Sequence, residues 1–435
     1  MLPIDDVSRA ALDGSRPADE LVVWAWYDGD LAWPDQLGVV SWSLTDTSDP
    51  STKVQRKLSL KVADPDGSLS PWLFDDPLGV GGVQLQVVYR VGGAGAVNVG
   101  WFRVESNAPD GSMNGYTVPE YGYLEPDSGE APHERRVFAF TGATVDVEAV
   151  DLTADVDRDK FLAPQSPAGT TPTVLGEVTR LTQRHFPVIV DDGVADASVS
   201  RKLVYDRERL QAVQDLLSNI NARYRMGGDG ELRAYPITGA DPVWRVEPGQ
   251  GLVSVHRKQT IDGLYNAWVV EGKQGTNGKP VTGTALLRTS PLRWDGPHGR
   301  VPYFYSSEMI TTWSQAVAYA ETLRDRQAAS YAVQLEVDTA PRPEIQAGDR
   351  IEVGCPMPAG HVVYLPGEVV SVSAGGSPIP GATKFTVSCA YQDVAAAISR
   401  APFGDHLTPS KPALTWDRMP SSWGSLPALT WNNLP

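Results

Sequence analysis

The strictest pattern in the chain is the alternation of apolar and polar residues in the segment 53–62, which reads KVQRKLSLKV. Successive side chains of a β-strand point to opposite faces, so this segment predicts a long strand with one apolar and one basic face. Lys53, Arg56 and Lys57 are assigned to the basic face. That face is interpreted either as a surface that contacts acidic neighbours or as an ordinary solvated strand face.

Shorter alternating segments recur through the first third of the chain, at residues 21–27, 39–44, 83–91, 97–105 and 144–150. The chain also has 41 glycines and 35 prolines, well spread, which favours many short strands joined by turns over long helices. We therefore expect residues 21–150 to form one all-β domain, either a sandwich or a barrel.

A helix followed by strands is predicted in the last third of the chain. Thr312 and Gln315 have the spacing of a capping box, in which each side chain bonds the backbone amide of the other residue. Apolar residues follow at helical spacing, and residues 333–337 then alternate as in a strand. Residues 251–395 are therefore predicted to be a second β-domain that carries one helix.

The middle of the chain, residues 151–250, has a mixed α+β pattern. Pro172 suits the first position of a helix that follows Thr171. Asp206 is predicted to cap a second helix, whose apolar stripe runs from Leu210 to Ile220. Asp229-Gly230 then predicts a hairpin turn into another strand. We expect this segment to be inserted between the two β-domains.

The two ends of the chain differ from the rest. Residues 1–20 are polar without a sustained period. A short helix from Val7 to Leu12 is one alternative, but we expect an arm that orders on a partner. Residues 396–435 form a predicted extended tail in which Pro-Ala-Leu-Thr-Trp occurs twice. Trp416, Trp423 and Trp431 are candidate contacts because tryptophan supplies a large contact area with few rotatable bonds. The tail either docks on a different protein or wraps its own chain and its symmetry mates.

Composition excludes several classes of function. The net charge of −16 argues against a protein that reads DNA sequence, although DNA can slide past an acidic surface without adsorbing. Two cysteines, Cys355 and Cys389, are too few for a disulfide framework or a zinc site. The N-terminus does not resemble a signal peptide, and no apolar run is long enough to span a bilayer. We expect a chain made in a cytoplasm without an export signal.

Catalytic and ligand-binding motifs fail on inspection. Asp155, Asp157 and Asp159 match the first positions of a calcium loop, but Lys160 stands where the loop needs glycine. The six histidines never pair at metal-ligand spacing, and no nucleophile elbow or phosphate-binding loop is present. We predict no catalytic, cofactor-binding or metal-binding residue, and no enzyme activity.

Several ordered segments resemble tail hub proteins of siphophages, especially those of actinobacterial hosts, which are described as minor tail proteins. The segments are Val54-Gln55-Arg56-Lys57-Leu58-Ser59-Leu60, Gly100-Trp101-Phe102-Arg103-Val104, Gly263-Leu264-Tyr265-Asn266-Ala267-Trp268, Arg300-Val301-Pro302-Tyr303-Phe304-Tyr305 and Ala347-Gly348-Asp349-Arg350-Ile351-Glu352-Val353. Their order and spacing carry the resemblance, which covers roughly residues 21–395.

The resemblance implies a mainly β fold with two tail-tube-like β-barrel or sandwich domains, a small α+β insert and an extended C-terminal tail. It implies a homotrimer whose six barrels form a ring at the virion tail tip, in a chain made in the host cytoplasm. The ring would adapt a sixfold distal tail protein hexamer to threefold tip proteins, and close the tube until DNA ejection. The implied partners also include the tape measure protein and downstream tip or fibre proteins, with DNA passing through the lumen unbound.

Two other functions stay open. The first is a tail-associated cell-wall hydrolase, for which the forty residues after the second β-domain are too few and too rich in proline. The second is a carbohydrate-binding protein for host recognition, suggested by 13 tryptophans and an all-β core. Most of these tryptophans fall in strand patterns, where core packing is the commoner role.

Overall fold

The computed structural model describes residues 1–14, 19–49, 51–120, 133–237, 241–274, 280–307, 310–357, 361–377 and 379–400. At residues 111–120, 133–143, 274, 326 and 329 it describes the backbone alone. Residues 401–435, including Trp416, Trp423 and Trp431, lie outside the described residues. Residues 396–400, predicted to begin the extended tail, instead form the end of a helix.

The described residues form six helices and nineteen strands. The helices are α1 (Asp6–Asp13), α2 (Thr153–Arg158), α3 (Val174–Thr182), α4 (Arg209–Asn219), α5 (Trp313–Ala329) and α6 (Tyr391–Arg400). The first ten strands are β1 (Glu20–Tyr27), β2 (Asp30–Leu31), β3 (Val39–Thr47), β4 (Arg56–Asp64), β5 (Gln84–Arg90), β6 (Ala96–Glu120), β7 (His133–Asp151), β8 (Val188–Val190), β9 (Ala222–Met226) and β10 (Leu232–Pro236). The others are β11 (Trp244–Pro248), β12 (Gly251–Lys258), β13 (Ala267–Gln274), β14 (Pro280–Leu286), β15 (Pro302–Ser306), β16 (Ala332–Thr339), β17 (Arg350–Pro356), β18 (Val362–Gly376) and β19 (Thr383–Ala390).

The fold is mainly β, with 43% of residues in strands and 17% in helices, and it contains a closed six-stranded barrel with additional strands. The largest sheet has the order β17-β11-β12-β16-β19-β18-β3-β4-β7-β6-β5-β1-β2, and β17 also pairs with β18. This second pairing closes the first six strands of the list into the barrel. The predicted mainly β fold class is confirmed.

The chain divides into two compact units. The first comprises Met1–Val255, Val337–Ile351 and Glu368–Val387. The second comprises His256–Glu336, Glu352–Gly367 and the described residues from Ser388 onward.

One core of the first unit lies beneath β1 and β3 to β7. In β4, Leu58, Leu60 and Val62 are buried while the intervening side chains face outward, so the predicted alternation is confirmed. Leu2 and Leu12 are also buried in this core. Residues 1–14 therefore pack as part of the unit and do not form the separate polar arm that we expected, because α1 contributes an apolar face to the core.

A second core in the first unit lies between α2, α3, α4 and the three-stranded sheet β8-β10-β9. The starts of both predicted helices need correction. Thr173 caps α3, with its Oγ1 accepting a hydrogen bond from the Gly176 amide at 3.3 Å, so Pro172 precedes the helix. Asp206 does not cap α4, which begins at Arg209, because Tyr205 pairs with Gln165 and the Arg207 carbonyl accepts a hydrogen bond from Phe161.

The second unit contains the sheet β14-β13-β15 with α5 packed against it. The predicted capping box is confirmed: Thr312 Oγ1 accepts from the Gln315 amide at 3.3 Å, and Gln315 Oε1 accepts from the Thr312 amide at 3.1 Å. Ala316 and Ala320 face the sheet and are fully buried. A Cβ atom added at Gly283 would lie 2.3 Å from the Ala316 carbonyl carbon, so a glycine in β14 permits this close approach.

Candidate protein-interaction surfaces

The predicted basic face of the segment 53–62 is only partly basic. Lys53 precedes β4, and its Nζ lies 3.2 Å from Glu208 Oε2 and 3.7 Å from Asp157 Oδ1. Lys57 is exposed on β4. Farther along the same face, Lys61 lies 2.9 Å from Asp146 Oδ1 on the neighbouring strand β7. Carboxylates on the neighbouring strand, in α2 and before α4 therefore neutralise much of the positive charge.

Arg56 does not belong to this face, because its side chain is only 3% exposed. Its Nη1 donates to the Val99 carbonyl at 2.8 Å, and the guanidinium carbon lies 5.1 Å from the centre of the Phe102 ring. The sequence carried a signal for this position. Arg56 stands two residues before the buried Leu58, so the alternation of a strand places both side chains on the buried face. The assignment of Arg56 to the basic face was therefore wrong.

Two buried carboxylates lie near Arg56, and sequence reasoning missed both. Asp46 Oδ2 is 3.7 Å from Arg56 Nε and accepts a hydrogen bond from the Ala347 amide at 3.2 Å. Asp151 accepts hydrogen bonds from the amides of Arg56 at 2.7 Å and Thr153 at 2.9 Å. Hydrophobic patterning does not reveal such groups, because their partners come from distant parts of the chain.

Burial shifts the titration of these carboxyls. It raises the pKa of Asp46 to about 6, although the Arg56 charge and the Ala347 amide act in the opposite direction. It also raises the pKa of Asp151, against hydrogen bonds from Thr153 and Arg56. A cavity of about 30 Å³ borders Asp46, Arg56 and Arg342, enough for one or two water molecules. The cluster is a structural ion network in the core.

Asp349 fastens the loop before β17 to β9. Its Oδ1 lies 2.7 Å from Arg225 Nη1, and its Oδ2 accepts from the Gln346 amide at 2.9 Å. Gln346 in turn donates to the Met226 carbonyl at 2.9 Å. Burial is the largest single influence on the pKa of Asp349 and would raise it, but the Arg225 charge, the N-terminal ammonium and the Gln346 amide together hold that pKa below its ordinary range.

The hairpin formed by β6 and β7 extends beyond the strands that flank it. β5 pairs with β6 as far as Arg103, and β4 pairs with β7 only between Ala143 and Val150. Residues 111–120 and 133–142, here called the ribbon, pair with each other down to Glu120 and His133. Among the described residues, no third strand pairs with the ribbon, so neither outer edge is hydrogen-bonded to another described strand.

The remaining features are the possible metal ligands and the acidic segment that contains Asp155, Asp157 and Asp159. Among the described residues, no group of three His, Cys, Asp or Glu side chains is placed to hold a metal ion. Asp155 and Asp157 lie in α2, and Asp155 pairs with Arg103 while the adjacent Asp159 pairs with His185 and Arg209. This acidic segment is therefore a short helix followed by an ion-paired residue. No described helix has the length and apolar character needed to cross a membrane.

Known proteins resemble this chain in fold. No family model and no curated protein matches the sequence. The tail protein from Neisseria meningitidis MC58 aligns over 85% of this chain and 96% of its own, with a TM-score of 0.50 and 12% identity. The prophage MuSo2 43 kDa tail protein from Shewanella oneidensis aligns over 85% and 98%, with a TM-score of 0.51 and 12% identity.

The prophage tail protein gp18 from Listeria monocytogenes EGD-e aligns over 87% of this chain and 97% of its own, with a TM-score of 0.47 and 12% identity. At such identities the similarity concerns the fold. This chain thus has a fold similar to that of the Neisseria and Shewanella tail proteins over nearly their whole length.

Proposed function

We propose that this chain is a structural subunit of a phage tail tip, a hub of which three copies form a ring. The observation that carries the proposal is the fold, which aligns with nearly the full length of two tail proteins. In this role the ring adapts a sixfold distal tail protein hexamer to threefold tip or fibre proteins. It contacts the tape measure protein and closes the tube until DNA is ejected.

The ribbon supports assembly into a ring. An isolated two-stranded ribbon is marginally stable in water, and its open edges are templates for another strand. The outer edge of β6 and the outer edge of β7 are different surfaces, so pairing one with the other from a second copy is a head-to-tail contact. A head-to-tail contact that closes on itself produces a ring of identical copies.

The charge of the chain suits a conduit for DNA. Each copy carries a formal charge of −16, and an acidic wall repels phosphates and lets DNA slide without adsorbing. The Trp-rich tail, with Trp416, Trp423 and Trp431, serves in this proposal as a docking peptide for a neighbouring tip protein. Lys57 is the exposed lysine on β4 that remains a candidate contact for an acidic neighbour.

The first test is the mass of the purified chain and its symmetry in detached tail tips. Light scattering is expected to give about three times the 47.0 kDa of one chain, and electron micrographs a threefold ring beneath a sixfold layer. A stable monomer that never joins the tail would overturn the proposal.

A further inference from the structure

A loop between β4 and β5 presents three consecutive large apolar side chains to solvent. Trp72, Leu73 and Phe74 are 84%, 65% and 76% exposed. Soluble proteins scatter single apolar residues over their surfaces, whereas a contiguous exposed patch marks an interaction site or an aggregation hazard. The segment 71–81, here called the 71–81 loop, was not singled out by the sequence patterns.

Hydrogen bonds within the loop fix its shape. Asp76 Oδ2 accepts from the amides of Trp72 at 2.6 Å and Leu73 at 2.7 Å. These two bonds also hold the pKa of Asp76 below its ordinary range. The Gly81 amide donates to the Phe74 carbonyl at 2.7 Å, and Leu78 is buried in the core of the unit. The apolar side chains are therefore presented by an ordered backbone, which lowers the entropy lost on binding.

Two glycines are required by this backbone. A Cβ atom added at Gly79 would lie 2.3 Å from the Phe74 carbonyl oxygen, and one added at Gly81 would lie 2.6 Å from it. Contacts this short cannot be accommodated without moving the loop. These two glycines therefore permit the backbone conformation in which the Phe74 side chain points outward.

The loop forms one wall of a groove, and β6 forms the other. The groove has a volume of about 280 Å³, with Trp72, Phe74 and Val80 on the first wall and Glu105 and Ser106 on the second. This volume is slightly below the range of about 300–1,000 Å³ for small-molecule sites, so the groove suits one or two side chains of a larger partner.

The surroundings of the groove are acidic. Asp75 and Asp76 lie in the 71–81 loop at least partly exposed, Glu105 lines the groove, and residues 64–83 include neither lysine nor arginine. Arg158 lies 3.7 Å from Glu105 and offsets part of this charge. Such a surface attracts a cationic partner, and it repels an anionic membrane or a second copy of a chain with a net charge of −16.

We propose that the 71–81 loop docks an apolar segment of a partner protein that is flanked by lysine or arginine. Apolar side chains of the partner fill the groove against Trp72 and Phe74, and its cations lie beside Asp75 and Glu105. The proposal needs only this loop and groove, so it does not depend on the ring described above.

Binding of short labelled peptides to the full chain, followed by fluorescence anisotropy, tests the proposal. One peptide has a leucine-rich centre with lysine flanks, and its partner has glutamate in place of each lysine. We expect the lysine peptide to bind at least about tenfold more tightly, because opposite charges meet at the groove. Equal binding of the two peptides, or no binding of either, would overturn the proposal.

Two double variants test whether the lysine peptide binds at the 71–81 loop. Trp72→Ala with Phe74→Ala is expected to weaken the lysine peptide at least about tenfold, as for aromatic anchors at interfaces, with an unchanged Tm because both side chains are exposed. The matched control is Val253→Ala with Ile379→Ala, two apolar residues that are 68% and 60% exposed elsewhere in the first unit. If both double variants bind equally, the loop is not the site.

Two further variants separate shape from charge. Gly81→Ala keeps both aromatic side chains but displaces the loop, so it is expected to weaken binding several-fold. Asp75→Asn with Glu105→Gln is expected to reduce the preference for the lysine peptide. Self-association of the free chain that disappears in the Trp72→Ala and Phe74→Ala variant would instead assign the loop to contacts between copies, and would overturn the proposal.

Discussion

Three charged side chains, Asp46, Arg56 and Asp151, lie together in the interior of the first unit. Removing an ion from water costs several kcal/mol, so such groups persist only where partners compensate them. Asp151 has two amide donors and the Thr153 hydroxyl, whereas Asp46 has one amide and a guanidinium nitrogen at 3.7 Å. Asp46 thus has fewer hydrogen-bond donors than Asp151 to offset the loss of water around its charge.

The raised pKa of Asp46 predicts a pH-dependent effect of Asp46→Asn. Because the folded-state pKa of about 6 exceeds the ordinary value of 3.8, the folded protein holds a proton that the unfolded chain releases, and the wild type loses stability as pH rises from 4 to 7. The variant has no such loss. Its stability relative to the wild type should therefore rise by about 2–3 kcal/mol over this interval, measured by denaturant unfolding at each pH.

Asp49→Asn is the control of opposite sign. The amide and hydroxyl of Ser51 hold the pKa of Asp49 below its ordinary value, so its contribution to stability is present at neutral pH and is lost as pH falls through that lowered pKa. This variant should lose stability relative to the wild type as pH rises through the range below the ordinary value of 3.8, and should show little further change between pH 4 and 7. If both variants show the same trend, the assignment to Asp46 is wrong.

At the scale of elements, α5 and the sheet β14-β13-β15 depend on short local signals. The helix begins where Thr312 and Gln315 bond each other's amides, and it lies close to the sheet because Ala316, Ala320 and Gly283 are small. The start of the helix and its distance from the sheet are therefore fixed by a few residues.

Thr312→Ala should destabilise the second unit. The substitution removes the acceptor for the Gln315 amide, and N-cap losses of this kind cost about 1 kcal/mol. Thr312→Ser keeps the hydroxyl and should behave like the wild type. Thermal unfolding monitored by circular dichroism distinguishes the two, and equal midpoints for both variants would contradict the role of the cap.

Gly283→Ala should destabilise the same unit through overpacking. The added methyl group would lie 2.3 Å from the Ala316 backbone, and forcing α5 away from the sheet costs about 1–3 kcal/mol. Gly38→Ala is the matched control, because its Cβ would meet the Ala63 side chain at an ordinary 3.6 Å. Denaturant unfolding should show a clear loss for the first variant and little change for the second.

The elements that could be predicted from sequence are those specified by neighbouring residues. The capping box of α5 and the alternation of β4 lie within a few positions, and both were confirmed. The start of α4 was wrong because residues far away in the chain, Phe161 and Gln165, hold the backbone before it extended. The buried carboxylates and the exposed 71–81 loop were missed for the same reason: burial is a property of the tertiary structure.

At the scale of the whole molecule, the ribbon is the part of the sheet that extends beyond its neighbouring strands. β6 continues to Glu120 beyond its last pair with β5 at Arg103, and β7 extends back to His133 beyond its last pair with β4 at Ala143. Among the described residues, no third strand pairs with the ribbon. A partner strand at either edge would complete the sheet. The proposed ring is one arrangement that covers both edges at once.

Replacing residues 112–142 by Asn-Gly tests this role. The shortened hairpin keeps the pairs of β6 and β7 that belong to the sheet, and Asn-Gly suits a two-residue turn, so the chain should still fold. We expect it to remain monomeric in light scattering at concentrations where the wild type is trimeric. A trimer that survives the replacement would assign the contact between copies to another surface.

Amide hydrogen exchange along the ribbon should show whether another strand is paired with either of its edges. In an antiparallel strand every second amide points away from its partner, so along residues 111–120 the protected and unprotected amides should alternate. Hydrogen–deuterium exchange of the free chain would then show a period of two along this segment. Pairing with another strand would erase the alternation, and the edge that changes would identify which side of the ribbon had been covered.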